Sequence, residues 1–364
     1  MIKPLTSLRF FFAFMVFASH LNFLNKSDSK VLRWIYDFVF DEGYIGVSFF
    51  FILSGFILAY NYQDDILKKQ KSKKAFYQAR FARIFPLHIL TLIISIPLSY
   101  RIFIQNKSLW LSQALTNLSL TQSYIPRGNI YFSFNAPSWS ISDEMFFYLI
   151  FPFLILLIPK IRSYKNIFIF LIVAIIPILT LVIPENYYHQ VFYINPFTRV
   201  VDFIIGIFLF NISQSRTLKE KRINYNYLEI SAILLLLIFF IFHQSIDQVA
   251  RYSFYYWIPM SYLIFSYSFQ KGAISKFLSK KIFIHLGEIS FGFYMFHYLI
   301  LRYFSIINSK ILHIENDILI IFITFTVTLV ISHYSSTLFE IPINKHIKKT
   351  IRNRKTTPNN AFKK

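Results

Sequence analysis

Cysteine is absent from this 364-residue chain, which removes disulfides, thiolate nucleophiles and cysteine-based metal sites. Charged residues are scarce, at 15% of the chain where a soluble domain averages about 25%, and there are only eight glycines. No HExxH, P-loop or GxSxG sequence occurs, so those signatures of zinc, nucleotide and serine-hydrolase chemistry are missing, and no metal is expected. What is abundant is apolar mass. Hydrophobic residues make up 55%, with 45 Phe and 24 Tyr, and the mean hydropathy is +0.49. That is enough for roughly ten spans of ~20 residues.

Candidate spans fall at 5–24, 44–61, 84–104, 138–159, 166–183, 197–212, 227–243, 253–269, 286–307 and 317–338. Each must be helical, because hydrocarbon cannot satisfy open backbone groups. The fold class is therefore an all-α polytopic membrane protein of about ten transmembrane helices. Lys3 and Arg9 precede the first apolar stretch as in a signal peptide, but the stretch is long and no A-x-A site follows, so a retained helix is predicted.

The formal charge of +21 raises nucleic-acid binding as an explanation. Sorting the 38 basic residues by alternate loops puts 27 on one side and nine on the other, with Arg9 and Arg302 inside spans. That bias places both termini in the cytoplasm and makes nucleic acid an unnecessary partner. Residues 1–344 form the membrane domain, and 345–364 are a basic tail expected to be disordered.

Ionisable groups at membrane depth are expensive and are the default candidates for function. Arg9 and His20 are eleven residues apart, which puts them on one helix face about 16 Å apart along the axis. Snorkelling of Arg9 and a helix-end position for His20 are the bland alternative. Ser138 is placed to cap the fourth span ahead of Trp139, where Asp143 suits the positive helix end. Glu144 lies two turns in, where a buried carboxylate can hydrogen-bond an imidazole or a sugar hydroxyl. Arg80 and Arg83 share a helix face suited to forked phosphate contacts. Gly46 and Gly55 suit close helix packing. His297 falls mid-span above Tyr294, and Arg199 and Asp202 are spaced to pair with each other.

Five elements in order resemble one family: Leu8-Arg9 followed by His20; Gly46-Val47 through Ser54-Gly55-Phe56; Arg80-x-x-Arg83-Ile84-x-Pro86; Ser138-Trp139-Ser140 through Glu144 to Phe147-Tyr148; and Gly287-x-Ile289-Ser290 through Tyr294 to His297. The chain is identified on these as similar to the acyltransferase-3 family of integral membrane acyltransferases, which includes O-antigen, capsule and peptidoglycan O-acetyltransferases. Phe339-Glu340-x-Pro342 resembles the family's closing motif. The departures are Ser48 where Asp is usual, Asp143 where an apolar residue is usual, Met145 where an acidic one is common, and Leu299 where Pro often stands.

The resemblance implies transfer of acetyl, or another acyl group, from cytoplasmic acyl-CoA to a hydroxyl of a surface or lipid-linked polysaccharide sugar, at the bacterial inner membrane. The donor is a substrate, and no permanently bound cofactor is expected. His20 is then the base or a transient acyl carrier in the outer half, with Glu144 orienting or recharging it. Arg9, Arg80 and Arg83 hold the phosphates of CoA, and Ser138, Trp139, Tyr294 and His297 support the site. A flippase for lipid-linked sugars would also carry buried charge, but paired Gly/Pro-broken helices in matching halves are missing. A structural or sensory protein would tolerate loss of Arg9 and His20.

Overall fold

The computed structural model describes residues 1–70, 72–157, 159, 165–215, 223–252 and 254–347, and among them there is no strand. Most of the predicted tail, together with parts of two basic loops (160–164 and 216–222), lies outside the described residues. Among the described residues, ten principal helices follow in order: α1 Lys3–Ser19, α2 Gly46–Leu67, α3 Lys73–Ser95, α4 Trp139–Leu157, α5 Lys165–Thr180, α6 Pro196–Ser213, α7 Tyr225–Ile241, α8 Trp257–Ser268, α9 Lys281–Ile307 and α10 Asp317–Ser335. Each of the ten expected apolar segments is met by one of them.

Several helix starts have a local cause. The Ser72 hydroxyl accepts from the Ala75 amide ahead of α3, and Asn195 caps α6 with Pro196 at the first helical position, where a missing N–H costs nothing. Asn224 and Asn316 cap α7 and α10 in the same way.

Among the described residues, five stretches are long and apolar enough to cross a membrane: Lys30–Leu67, Lys73–Gln105, Ala136–Leu157, Pro196–Ser213 and Asp317–Ile347. The other segments are shorter or more polar. Helices α1 and α7 have 17 residues each. Helix α8 has 12, a length of about 18 Å. Helix α9 is long, at 27 residues, but carries Lys281, Glu288 and Arg302.

Helix α2 is the hub, packed against α1, α4, α6 and α8. Its approach to α6 is set by two glycines. A Cβ on Gly55 would strike the Phe203 carbonyl of α6, and one on Gly206 would strike the Ile52 carbonyl of α2. The helices therefore meet backbone to backbone, as the small residues of the second span suggest. Helix α1 lies along α9, with Phe10 packed edge-on to Phe293, and Phe12 stacks on Phe49 of α2 at 3.7 Å.

The stretch 105–137, which the sequence gives only as a long polar loop, is folded. A helix at Lys107–Ser119 and short turns bury Gln113, Asn117, Gln122 and Asn135 against the start of α4. Polar side chains supply the fit: Asn117 donates to Ser133 Oγ at 2.8 Å, Gln122 to the Ser138 carbonyl at 3.0 Å, and Asn135 to the Met295 carbonyl of α9 at 2.9 Å. This wedge corrects the expected use of Ser138. Its hydroxyl donates to Asn117 Oδ1 rather than capping α4.

Candidate active site

His20 ends α1, half-buried, where that helix meets α9. Its Nδ1 lies 2.8 Å from the Val16 carbonyl and 3.4 Å from Nε2 of His297. His297 in turn places Nδ1 2.6 Å from the Tyr294 carbonyl. A carbonyl oxygen can only accept, so both rings carry their proton on Nδ1. Two consequences follow. The Nδ1–H of His20 is shared between Val16 and the lone pair of His297, which fixes the ring from two helices. Its Nε2 is left with a lone pair, the form a proton acceptor needs.

Around this pair, Tyr294 exchanges a hydrogen bond with Ser140 at 2.7 Å and donates to the Pro137 carbonyl at 3.1 Å, tying α9 to the start of α4. Tyr298 sets its ring 5.2 Å from His20. Trp139 packs against Phe51 and Tyr193, so its contribution is to seat α4 against α2.

A second group assembles nearer the end of the bundle that carries Lys3. Arg9 lies within electrostatic range of Arg83, Glu144, Tyr148 and Glu340. Arg80 donates to the Tyr62 hydroxyl at 2.9 Å and sets its guanidinium over the Tyr62 and Tyr148 rings at 5.1 and 5.8 Å. Arg80 Nε and Glu340 Oε1 are buried and lack hydrogen-bond partners among the described residues. Three arginines faced by two carboxylates, with a guanidinium donor still unused, can take up a phosphate-bearing ligand.

The expected partnership of Glu144 with His20 is not what the geometry provides. Glu144 Oε1 accepts from Ser54 at 3.1 Å and from Tyr148 at 2.5 Å, facing the arginines, and His297 is the residue that holds His20. The reason is spacing. Tyr148 lies one turn beyond Glu144 on the same face of α4, and Ser54 faces it from α2. The sequence shows the Glu144–Tyr148 interval but gives no sign of Ser54, Tyr62 or Glu340 as neighbours, since those contacts join distant parts of the chain.

Asp143, expected at the helix end for its charge, is fully buried in electrostatic range of Arg199 and Asp202. Arg199 and Asp202 do pair, Nε to Oδ2 at 3.4 Å. Arg199 also donates to the Tyr252 carbonyl at 2.5 Å and to Ser48 Oγ at 2.8 Å, while Trp257 donates to Asp202 Oδ1 at 2.7 Å. This network fixes α2, α6 and the segment before α8 together.

Comparison with known proteins identifies the family. A family profile described as an acyltransferase domain matches residues 4–335. Acyltransferase MdmB of Streptomyces mycarofaciens is 28% identical over 323 residues, covering 83% of this chain and 79% of the relative. A protein of Staphylococcus aureus (strain COL) named "Putative O-acetyltransferase" is 24% identical over 333 residues, and the chain spans only 53% of its length. No solved structure matches this chain. With the profile covering nearly the whole sequence, the chain belongs to the acyltransferase-3 family and is a membrane acyltransferase.

Proposed function

We propose that this acyltransferase is an O-acetyltransferase of the bacterial cytoplasmic membrane. It crosses the bilayer with ten helices and keeps both termini inside, and it moves acetyl from cytoplasmic acetyl-CoA to a hydroxyl of a surface or lipid-linked polysaccharide sugar. The observation that carries the reading is the disposition of α1. It presents Arg9 among arginines at one level and the free Nε2 of His20 about 16 Å further on the same face. Arg9, Arg80 and Arg83 hold the phosphates of the donor, and the extended pantetheine arm carries the thioester toward His20.

In the reaction His20 Nε2 accepts the proton of the sugar hydroxyl as its oxygen attacks the thioester carbonyl. The carbon–sulfur bond breaks, and the imidazolium returns the proton to the departing thiolate, so atoms and charge balance without a further reactant. The names of the staphylococcal relatives support acetyl as the group transferred.

The test is mass spectrometry of surface glycans from cells with the wild-type gene, without it, and with His20→Ala. Acetylation adds about 42 Da per modified hydroxyl, as for any ester formed by acyl transfer. The expected result is a mass increment present only with the wild-type chain. Wild-type modification by His20→Ala at normal protein level would overturn the mechanism.

A further inference from the structure

A cavity of about 360 Å³ opens at the Lys3 end of the bundle, where the starts of α1 and α7 meet the ends of α2, α6 and α8. It falls within the size range of small-molecule sites. Tyr60, Tyr225, Phe269, Gln270 and Lys271 line it, with Ile2 at the foot of α1. Three of these carry aromatic rings, and Tyr225 and Phe269 have centroids 5.5 Å apart. Lys271 is fixed at the rim, its ammonium 4.8 Å from the Tyr225 ring centroid and 3.3 Å from the Tyr225 hydroxyl. Gln270 adopts a left-handed conformation, φ 59°, and its Oε1 accepts from the Lys3 amide at 3.1 Å. An adjoining hollow of about 480 Å³ shares Tyr225 and Lys271.

Rings that can stack on a planar base, an amide that can read its edge and a cation for an anion make a set suited to a nucleotide. Its position adds a second argument. Seven residues separate Ile2 from Arg9, within about 20° of two full helical turns, so the cavity lies at the foot of the α1 face that carries Arg9 and His20. The three levels are spaced by about 10 Å and about 16 Å along that helix.

We propose that this cavity seats the adenine-nucleotide end of the acyl donor. The base packs among Tyr60, Tyr225 and Phe269, a phosphate meets Lys271, and the pyrophosphate and arm pass Arg9 toward His20. The assignment rests on the reading of the donor as acyl-CoA and adds a site separate from the arginine cluster.

The test is isothermal titration calorimetry of the full chain in detergent with CoA, adenosine 3′,5′-bisphosphate, inorganic phosphate and pantetheine. Tyr60→Ala, Lys271→Ala and, as a control that keeps the ring, Tyr60→Phe are titrated alongside. CoA and the bisphosphate should bind the wild type, with phosphate and pantetheine at least tenfold weaker. Both alanine variants should weaken CoA and the bisphosphate about tenfold, and Tyr60→Phe should bind as wild type. CoA binding with undiminished affinity to both alanine variants would overturn the pocket while leaving the donor reading in place. Inorganic phosphate competing as well as the bisphosphate would mark a plain anion site, free or lipid phosphate, and overturn the nucleotide. Failure of CoA to bind the wild type at all would remove the donor reading and this assignment with it.

Discussion

His297 Nε2 faces His20 Nδ1 at 3.4 Å across the contact of α9 with α1, so the imidazole of one helix is steadied by the lone pair of another. The orientation of the His20 ring thus depends on a residue 277 positions away.

His297→Ala should leave donor binding intact and slow transfer. Loss of one hydrogen bond of about 1–1.5 kcal/mol corresponds to roughly a tenfold fall in rate. Single-turnover transfer read beside donor binding separates the two quantities. An equal loss of affinity would contradict a positioning role.

Arg80→Lys keeps the charge but removes the planar fork that lies over Tyr62 and Tyr148. Lys lacks a stackable plane, so KM for the acyl donor should rise about five- to tenfold with kcat nearly unchanged. Steady-state kinetics over a donor series decides it, and an unchanged KM would take Arg80 out of donor binding.

Much of this was legible beforehand, and the limit has a physical cause. The ten helices follow from runs of apolar residues, a local property, and the Arg199–Asp202 pair from an interval of three on one helix. The close approach at Gly55 was suggested by small residues within one span. The partner of Glu144 was not legible, because α2, α3 and α4 bring Ser54, Tyr62 and Tyr148 together only after packing. Nor was the fold of 105–137, whose buried amides donate to backbone carbonyls and a serine hydroxyl in place of the apolar periodicity that marks a core segment.

Gly55→Ala and Gly206→Ala should each lower thermal stability in detergent, since the added carbon meets a backbone carbonyl that cannot rotate away. A cost of about 1–3 kcal/mol is expected for overpacking of this kind. A thermal melt of each variant, unchanged from wild type, would show that the two helices separate easily.

Arg199→Leu leaves the fully buried Asp202 and Asp143 without their cation. Breaking a buried pair from one side costs about 3–5 kcal/mol, whereas removing both partners costs far less. The double variant Arg199→Leu/Asp202→Leu should therefore be more stable than Arg199→Leu alone. A double-mutant cycle on unfolding midpoints gives the coupling, and simple additivity would deny it.

The cysteine-free chain is ready for topology mapping. Ser309→Cys, exposed in the turn after α9, should react with an impermeant maleimide in intact cells, and Lys69→Cys, exposed after α2, only after lysis. The reverse pattern would invert the membrane orientation.

Helix α8 has a consequence for the lipid around it. Its 12 residues reach about 18 Å, well short of a hydrocarbon core of about 30 Å. On the ten-span reading proposed above, bilayer and protein close that gap by local thinning, at a cost of fractions of a kcal/mol per ångström of mismatch. On that reading the acyl-chain length of the host lipid is a variable of this enzyme: thicker membranes would strain the segment between Trp257 and Lys271, and thinner ones would relieve it.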